Sequence, residues 1–399
     1  MSIYEQYGIA PIINASGTVT RLGGAPMPQA VLDAFREAAG EWVPLDQLQA
    51  AASKRIAEIT GTEAGLATAG SAAALTVGAA AILTGLDPGR MERLPHCDGF
   101  PHEFVVAREH RSGYDHAVRA AGVKFVEVGF NEIVSNAGVR RTEAWEYEAA
   151  FTENTAGVFY VHIPNPATPL REVLEVAHRH NLPVLVDAAG ELPPRSNLRD
   201  IAATGADLVA YSGGKSIRGP QSTGILCGKR DLIASAALQM LDMDDHFELW
   251  DPPGDFLDKS QLVGIPRHGI ARGMKVSKEE IVALLVALDL FASGAYDDER
   301  PAYFARLQTV TDALEGTTAN CTVVESADGE RPPTLEIAID ETSLGRSAFE
   351  VCRRLRNGSP PIYVSHGQLS AGKLVVHPLC LDDEATSTLA IRLREELTA

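Results

Sequence analysis

The chain has 399 residues, a formal net charge of −18 and a pI of about 5.0. The electrostatic field of such a negative charge repels phosphate backbones. The basic residues are scattered apart from a small cluster at Arg267, Arg272 and Lys275, so the composition argues against nucleic-acid binding. The length suits one large domain and a smaller one. The most apolar stretch, 64–86, is rich in Ala, Gly, Thr and Ser and predicts a buried strand and helix, not a membrane span.

The cysteines indicate a reducing compartment. There are five, widely spaced and without a CxxC pair: Cys97, Cys227, Cys321, Cys352 and Cys380. Free thiols are the simplest interpretation of this pattern. The N-terminal residues show no basic segment followed by an apolar one, as a signal peptide would. We therefore expect a cytoplasmic protein.

The first part of the chain alternates between helical and strand patterns. Residues 1–22 lack periodicity and predict an extended arm, and a helical pattern then runs from about 28 to 60 and ends at Gly61. Strands are predicted over 65–68, 104–107, 124–128, 158–163, 184–187, 208–212 and 225–227, and helices over 71–83, 112–121, 143–151, 170–180 and 198–204. This alternation is typical of an α/β domain with a mainly parallel sheet.

Beyond about residue 265 the pattern changes. Helices are predicted over 278–291, 302–314, 348–356 and at the C-terminus, and strands over 321–325, 334–339, 362–364 and 373–377. Consecutive strands between helices indicate a separate α+β domain. We therefore predict an N-terminal arm (1–22), a large domain (23–265) and a small C-terminal domain (266–399).

Chemistry-bearing residues follow predicted strands, where open α/β sheets bind ligands. Asp187 ends an otherwise apolar strand in the segment LPVLVDAAGELPP. A buried carboxylate needs a fixed partner. A protonated pyridine nitrogen is one such partner, and the charge would keep the ring an electron sink. The alternative is an aspartate that caps or supports the strand end.

Lys215 follows the next apolar strand, 28 residues after Asp187, in the segment SGGKSIRGPQSTGIL. Glycines let the backbone approach a bulky ligand, and a partly desolvated lysine can form an imine. Taken alone, a lysine in a glycine-rich loop is more often a surface lysine. A nucleotide-binding P-loop is excluded because its first glycine would fall at Val209.

Small residues over 68–73 (TAGSAA) join a predicted strand to a predicted helix. Backbone N–H groups at a helix N-terminus bind phosphate well. The alternative interpretation is close helix packing through small side chains. Each of these features is weak alone, and their order along the chain makes them informative.

A phosphate-binding helix start, then a strand-end Asp, then a Lys after the next strand is the pattern of fold-type I enzymes that depend on pyridoxal 5′-phosphate (PLP). The chain resembles the group containing selenocysteine synthase and D-glucosaminate-6-phosphate ammonia-lyase over nearly its whole length, and the ammonia-lyase-like branch more than the selenium transferases. The resemblance is carried by PIINASGTVTRLGGAPMP, AREHRSGYDHAVRAAGVKFVEVG, VDAAGELPP, SGGKSIRGPQSTGIL and GMKVSKEEIVALL. It implies a large domain with a mainly parallel, seven-stranded type of sheet and a smaller α+β C-terminal domain.

The resemblance also implies roles for individual residues. Lys215 forms the Schiff base with PLP, and Asp187 pairs with the pyridinium nitrogen. His110 stacks on the ring and can assist acid–base steps, the alternative being a capping or packing histidine. The remaining cofactor contacts implied are Ser71, Ala72, Ser212 and Gly214.

Basic and hydroxyl residues outside this set are candidates for the substrate side. Arg272 and Lys275 lie where family members carry a basic motif, which places them near cofactor or substrate phosphate, in the same subunit or across an interface. The alternative is a solvated charge pair at a helix start. Thr18, Thr20 and Arg21 are candidates to line the substrate.

Metal and partner expectations follow the same reasoning. No metal site is predicted, because the spacing of His96, Cys97, Asp98 and His102 fits no closed zinc site and favours a loop. Fold-type I enzymes usually build active sites from two subunits, so the resemblance implies a homodimer or a higher homo-oligomer. A small amino substrate is the expected partner, and neither a membrane nor a nucleic acid is expected.

The leading functional hypothesis is a PLP-dependent lyase. Lys215 abstracts the Cα proton of a hydroxy amino acid or amino sugar acid, and β-elimination then yields a 2-keto acid and ammonia. Racemisation or aldol cleavage uses the same site with His110 as a second base, and fold and cofactor do not decide among them. A selenium transferase needs a charged tRNA, which the acidic balance and the lack of an N-terminal RNA-binding module disfavour. A silent PLP-binding protein is disfavoured by the presence of both Asp187 and Lys215.

Overall fold

A computed structural model describes residues 2–130, 142–164, 166, 168–327 and 329–398. The chain divides into two compact units. The large unit is Met27–Ala292, and the small unit combines Met1–Pro26 with Ser293–Ala399. These divisions lie at other residues than the predicted boundaries at 22 and 265. The N-terminal residues pair with a C-terminal strand, and the helix that begins at Lys278 packs on the large unit, where the Lys278 ammonium donates to the Ala38 carbonyl at 2.6 Å.

The elements are numbered in chain order. The strands are β1 (Ile13–Ala15), β2 (Ala64–Thr68), β3 (Glu103–Ala107), β4 (Lys124–Val128), β5 (Thr155–Val161), β6 (Val184–Asp187), β7 (Leu208–Ser212), β8 (Gly224–Gly228), β9 (Ala319–Val324), β10 (Thr334–Ile339), β11 (Ile362–Val364) and β12 (Lys373–Val376). The helices are α1 (Gln29–Ala39), α2 (Leu45–Thr60), α3 (Gly70–Thr84), α4 (Pro88–Arg93), α5 (Asp115–Ala120), α6 (Ala144–Ala149), α7 (Leu170–Arg179), α8 (Asn197–Asp200), α9 (Arg230–Met240), α10 (Lys278–Ser293), α11 (Arg300–Ala313), α12 (Glu341–Leu344), α13 (Ala348–Arg356) and α14 (Asp383–Leu397).

The large unit is built on a seven-stranded sheet in the order β2-β8-β7-β6-β5-β3-β4. Strand β8 is antiparallel to both neighbours, and the pairs from β7 to β4 are parallel. The predicted α/β class with a mainly parallel sheet is therefore confirmed. Strands β2, β3 and β8 are buried along their whole length, as expected of a sheet covered on both faces.

The sheet brings several chain segments to one edge, here called the carboxyl edge, where β2, β3, β5, β6 and β7 end and β8 begins. Ser212 pairs with Gly224, and Gly224 pairs with Thr68. Asp187 lies between Val161 on one side and Ala210 on the other. Segments that are far apart in sequence therefore meet here.

Helix α3 lies against the centre of this sheet. It is apolar on every side, and nearly all of it is buried. A Cβ atom added at Gly78 would lie 3.0 Å from the Leu185 Cδ1 atom, so the small residues of this helix allow close packing on the strands. The same helix also begins at the carboxyl edge. Its small residues therefore allow close packing on the sheet, and its N-terminus lies where a ligand could bind.

At the opposite edge of the sheet, Asp207 contacts several neighbouring segments, and its side chain is 1% exposed. Its carboxylate accepts a hydrogen bond from the Val184 backbone N–H at 2.7 Å and pairs with the Lys229 ammonium at 2.6 Å. The His178 Nε2 atom lies 2.9 Å away. A buried carboxylate needs such partners. These contacts fix β6, β7 and the end of β8 relative to one another.

The small unit has an antiparallel three-stranded sheet, β12-β10-β9, and a parallel pair, β1 with β11. Its core combines apolar residues of α11, α13 and α14 with the inward faces of β10, β11 and β12. The predicted smaller α+β domain is thus present. It also includes the N-terminal strand β1, in the segment predicted as an extended arm.

Helix α9 falls in a stretch where the sequence predicted no element. Residues Ile233–Met240 are buried on all sides, so the helix lacks the amphipathic period that sequence reasoning depends on. Within the described residues, no helix has both the length and the apolar character needed to cross a membrane.

Candidate active site

Asp187 is the last residue of β6, at the carboxyl edge. Among the described residues, its carboxylate accepts one hydrogen bond, from the backbone N–H of Ala189 at 3.0 Å. Burial raises the pKa of the Asp187 carboxyl, while this hydrogen bond and the charge of Lys215 act in the opposite direction. A largely desolvated carboxylate with so few partners suits a cationic ligand atom.

Lys215 lies in the turn after β7, the strand next to β6, and is half-buried. The turn is closed by hydrogen bonds from the Arg218 N–H to the Lys215 carbonyl (3.0 Å) and from the Gly219 N–H to the Gly213 carbonyl (2.9 Å). Gly214 is required because an added Cβ would lie 2.5 Å from the Cα of Gln221. Val209 is inside β7, which agrees with the exclusion of a P-loop.

The start of α3 is the candidate phosphate site. Ser71 is half-buried and Ala72 exposed, and the hydroxyls of Ser71 and Ser212 have no hydrogen-bond partner among the described residues. Gly224 on β8 touches this helix start: an added Cβ would lie 2.3 Å from the Gly70 carbonyl carbon and 2.5 Å from the Ser71 nitrogen. The N–H groups of the first turn are therefore held in place by a strand that admits only glycine.

Replacing Gly224 by alanine is expected to lower the free energy of unfolding by about 1–3 kcal/mol, because the new methyl group must displace backbone atoms. The start of α3 would shift, so the affinity for PLP should fall as well. Urea unfolding and PLP titration of the cofactor-free protein measure the two effects. The control is Gly254→Ala, where an added Cβ meets nothing within 4 Å. Equal stability and PLP affinity in both variants would contradict the contact.

His110 follows β3 and is buried, 4% exposed. Its ring packs edge-on against Tyr160, with centroids 4.5 Å apart, and its Nδ1 accepts a long hydrogen bond, 3.4 Å, from the Val161 N–H. Burial, with a smaller contribution from His162, lowers the pKa of His110 from 6.5 to about 4. The imidazole is therefore neutral at pH 7 and carries its proton on Nε2. It can donate a hydrogen bond or present its ring, but it is a poor charged acid.

This lowered pKa predicts a pH-dependent stability. The folded pKa of His110 lies below the unfolded value, so its contribution is present above pH 6.5 and is lost as the pH falls toward 4. When the pH falls from 7 to 5, we expect the free energy of unfolding of the cofactor-free protein to fall by about 2 kcal/mol because of His110. Urea unfolding at both pH values measures this loss, and His110→Phe should lack most of it. An identical pH dependence in the variant would refute the assignment.

Two residues that are not among the candidates from the sequence, His162 and Glu191, lie near Asp187 and His110. The His162 Nδ1 atom is 3.9 Å from a Glu191 carboxylate oxygen. The backbone N–H of His162 donates to the backbone carbonyl of Asp187 at 2.9 Å. The charge of Glu191 contributes to the raised pKa of Asp187, and that of His162 to the lowered pKa of His110. Glu191 follows the predicted strand over 184–187, and His162 lies near the end of the predicted strand over 158–163, which was the available signal. Their mutual approach depends on strand order.

Arg272 and Lys275 line a cleft of about 520 Å³ in the large unit. Arg272 is ion-paired with Asp242, whose carboxyl pKa is lowered by the Asp244 backbone hydrogen bond and by Arg272. Lys275 is exposed and forms no ion pair with any residue that the structure describes. Glu280, also in the cleft, accepts a hydrogen bond from the Ser222 hydroxyl. The cleft thus borders the segment that leads into β8.

The other predicted substrate residues belong to the small unit. Thr18 is half-buried, and Thr20 and Arg21 are exposed. The Arg21 guanidinium lies 3.1 Å from the His366 Nδ1 atom. Their role toward a substrate stays a prediction. Within the described ranges, no group of three or more His, Cys, Asp or Glu side chains is arranged to hold a metal ion.

The groups at the carboxyl edge fit PLP. A protonated pyridine nitrogen would supply the cation that the desolvated Asp187 carboxylate lacks, and the N–H groups and free hydroxyls at the start of α3 and the end of β7 suit a phosphate. Lys215 follows β7, which pairs with β6, the strand that ends at Asp187. The chemistry of the donor set therefore matches both ends of the cofactor.

Comparisons with known proteins agree with this fit. The family described as SelA, L-seryl-tRNA selenium transferase, matches residues 114–243. A 5′-C-glycyluridine monooxygenase-decarboxylase of a Streptomyces species is 30% identical, over 99% of this chain and 92% of its own. The D-glucosaminate-6-phosphate ammonia lyase of Salmonella typhimurium is 28% identical, over 99% and 97%.

A solved structure gives the same result. The structure of a D-glucosaminate-6-phosphate ammonia-lyase matches with a TM-score of 0.81 and 28% identity, covering 100% of this chain and 98% of the other. The similarity therefore includes both units and the whole carboxyl edge. The chain belongs to the fold-type I PLP-dependent enzymes, in the group that contains selenocysteine synthase and D-glucosaminate-6-phosphate ammonia-lyase, and its cofactor is pyridoxal 5′-phosphate.

Proposed function

We propose that this enzyme is an ammonia-lyase that converts a hydroxy amino acid or amino sugar acid into a 2-keto acid and ammonia. The observation that carries the proposal is the placement of Asp187 and Lys215 on neighbouring strands at the carboxyl edge, with Asp187 under the influence of the Lys215 charge. The full-length similarity to an ammonia lyase supports the reaction class.

Different residues would bind different parts of the cofactor. Lys215 would hold the cofactor covalently through its Nζ atom, and Asp187 would hold the ring nitrogen. Ser71, Ala72, Ser212 and Gly214, with the first N–H groups of α3, would hold the phosphate. When bound, PLP supplies an electron sink that accepts the negative charge developing at Cα.

Proton transfer falls to Lys215. Its free amine takes the Cα proton, and the resulting ammonium returns that proton to the β-hydroxyl, which leaves as water. Hydrolysis then consumes one water and releases ammonia with the 2-keto acid, so the net reaction needs neither water nor an oxidant. His110 is neutral at pH 7, which disfavours it as the charged acid, and it can still donate a hydrogen bond or present its ring.

The test is a panel of D- and L-hydroxy amino acids and amino sugar acids, with and without a phosphate group. We expect 2-keto acid and ammonia in a 1:1 ratio from at least one member, without oxygen uptake. The absence of both products from every member would refute the proposal. A change of optical rotation without ammonia would indicate a racemase, and release of an aldehyde would indicate an aldolase.

A second candidate is oxidative decarboxylation. It is favoured by the 30% identity, over nearly the full length of both chains, to a protein described as a monooxygenase-decarboxylase. That chemistry consumes molecular oxygen and releases carbon dioxide, whereas elimination does neither. An oxygen electrode and carbon dioxide detection on the same panel distinguish the two. A tRNA gel shift tests the selenium-transferase alternative, whose family model matches residues 114–243.

Assembly and location are further parts of the proposal. We propose a homodimer or higher homo-oligomer, supported by exposed apolar side chains of the large unit such as Trp42 (87% exposed), Val43 and Leu45. Light scattering after size-exclusion chromatography measures the mass, and a monomer at micromolar concentration would contradict this. We also propose a cytoplasmic location, supported by the free cysteines.

A further inference from the structure

A cluster of basic side chains in the small unit is assigned no step of the proposed reaction. It consists of Arg21 after β1, Arg356 at the end of α13, and His366 after β11, gathered around Tyr363. We call it the Tyr363 cluster. Of these residues only Arg21 is a candidate from the sequence, because the other members come from segments more than 300 residues later.

The two guanidiniums converge on one ring. The Cζ of Arg356 lies 5.1 Å from the Tyr363 centroid, and the Cζ of Arg21 lies 6.0 Å from it. The Arg21 Nη2 is 3.1 Å from the His366 Nδ1. The Arg356 Nε is buried and has no hydrogen-bond partner among the described residues. A buried donor without a partner is costly, so this guanidinium is incompletely hydrogen-bonded in the absence of a ligand.

Both charges also act on Cys352, one turn before Arg356 on α13. Burial raises the pKa of this thiol, and the charges of Arg356 and Arg21 act in the opposite direction. Two positive charges therefore reach the same thiol as well as the same ring. Their mutual repulsion is unfavourable, and a bound anion would offset it.

Among the described residues, no carboxylate is paired with the cluster. Neither Arg21 nor Arg356 forms an ion pair with a carboxylate in the part of the chain that the structure describes. Carboxylates are plentiful, since the chain has 53 Asp and Glu against 35 Lys and Arg. On the same helix, Arg354 pairs with Glu396 at 2.5 Å. The positive charge around Tyr363 is therefore unneutralised while a nearby arginine of the same helix is paired.

We infer that the Tyr363 cluster is a binding site for a dianionic oxyanion, a phosphate group that is either free or carried by a metabolite. Two guanidiniums provide fork-shaped donor sets that suit the several oxygens of a phosphate. The His366 imidazole, whose Nδ1 atom lies beside Arg21, adds a further hydrogen-bonding group. The inference stands without the reaction proposed above, because it concerns binding and requires no turnover.

The test is calorimetric titration of the PLP-loaded enzyme with inorganic phosphate, since the cofactor then fills its own phosphate site. We expect one phosphate per chain beyond the cofactor. Arg21→Gln and Arg356→Gln should each weaken its binding by about tenfold or more, the loss of a charge-assisted hydrogen bond. Arg353→Gln removes the same charge from an exposed position of the same helix and should bind phosphate as the wild type does.

The source of the phosphate is distinguished by titrating glycerol 3-phosphate, which has no amino group to react at the PLP site, and glycerol. Tighter binding of glycerol 3-phosphate than of inorganic phosphate indicates a metabolite, and equal or weaker binding indicates free phosphate. Wild-type affinity in both Arg21→Gln and Arg356→Gln, or no phosphate bound by the wild type, would overturn the inference. Because Arg21 is exposed, its variant remains decisive even if Arg356→Gln fails to fold, which circular dichroism reveals.

Discussion

Replacing Lys215 by alanine is expected to abolish the covalent attachment of PLP and to lower turnover by at least about 10²–10⁴-fold, the range for loss of a positioned base. In the wild type, borohydride reduction followed by peptide mapping should place the cofactor on Lys215. The fold should survive, because Lys215 is half-buried and forms no ion pair within the described residues. An unchanged melting temperature of the cofactor-free variant would show this.

The matched control is Lys54→Ala, an exposed lysine on α2. It removes the same charge from the large unit and should leave cofactor attachment and turnover unchanged. Attachment of PLP to another lysine in the wild type, or full activity of Lys215→Ala, would remove Lys215 from the site. Adding back a small primary amine should partly restore proton transfer if the missing group is the base.

Replacing Asp187 by asparagine should produce opposite effects on activity and stability. The amide keeps the size of the side chain but removes the charge that would hold a protonated ring, so turnover should fall by about 10²–10³-fold while the cofactor stays attached to Lys215. Spectra of the bound cofactor and steady-state rates measure these two results. Full activity without the charge would contradict the assigned role.

In the cofactor-free protein the same change should be stabilising at neutral pH. Burial raises the pKa of Asp187 above its ordinary 3.8, so ionised Asp187 opposes folding, and stability is lost as the pH rises above that value. Asp187→Asn should therefore unfold at higher urea at pH 7, and the difference should vanish below pH 3.8. The control is Asp200→Asn, an exposed carboxylate on α8, which should change neither property. Residues placed for catalysis often carry such a stability cost.

Local pattern explains why most elements of the large unit could be predicted. Apolar runs bounded by polar or small residues identified β2 to β8, and Gly61 marked the end of α2. Helix α9 was missed because burial on all sides removes the amphipathic period. The place of β1 was missed because its partner, β11, lies about 350 residues away, and a three-residue strand has too little pattern to reveal a pairing.

The sequence by itself determined the fold class and the cofactor, and it predicted Asp187 and Lys215 as the residues on which the proposed chemistry depends. Strand-end Asp187, loop Lys215 and the small residues at the start of α3 are local signals, and their order along the chain is informative because parallel strands share one edge. Only the tertiary structure decided which other groups join them. The approach of His162 to Glu191, the neutral state of His110 and the convergence of Arg21 and Arg356 on Tyr363 depend on burial and on strand order. Those are properties of contacts between distant segments, which no local pattern records.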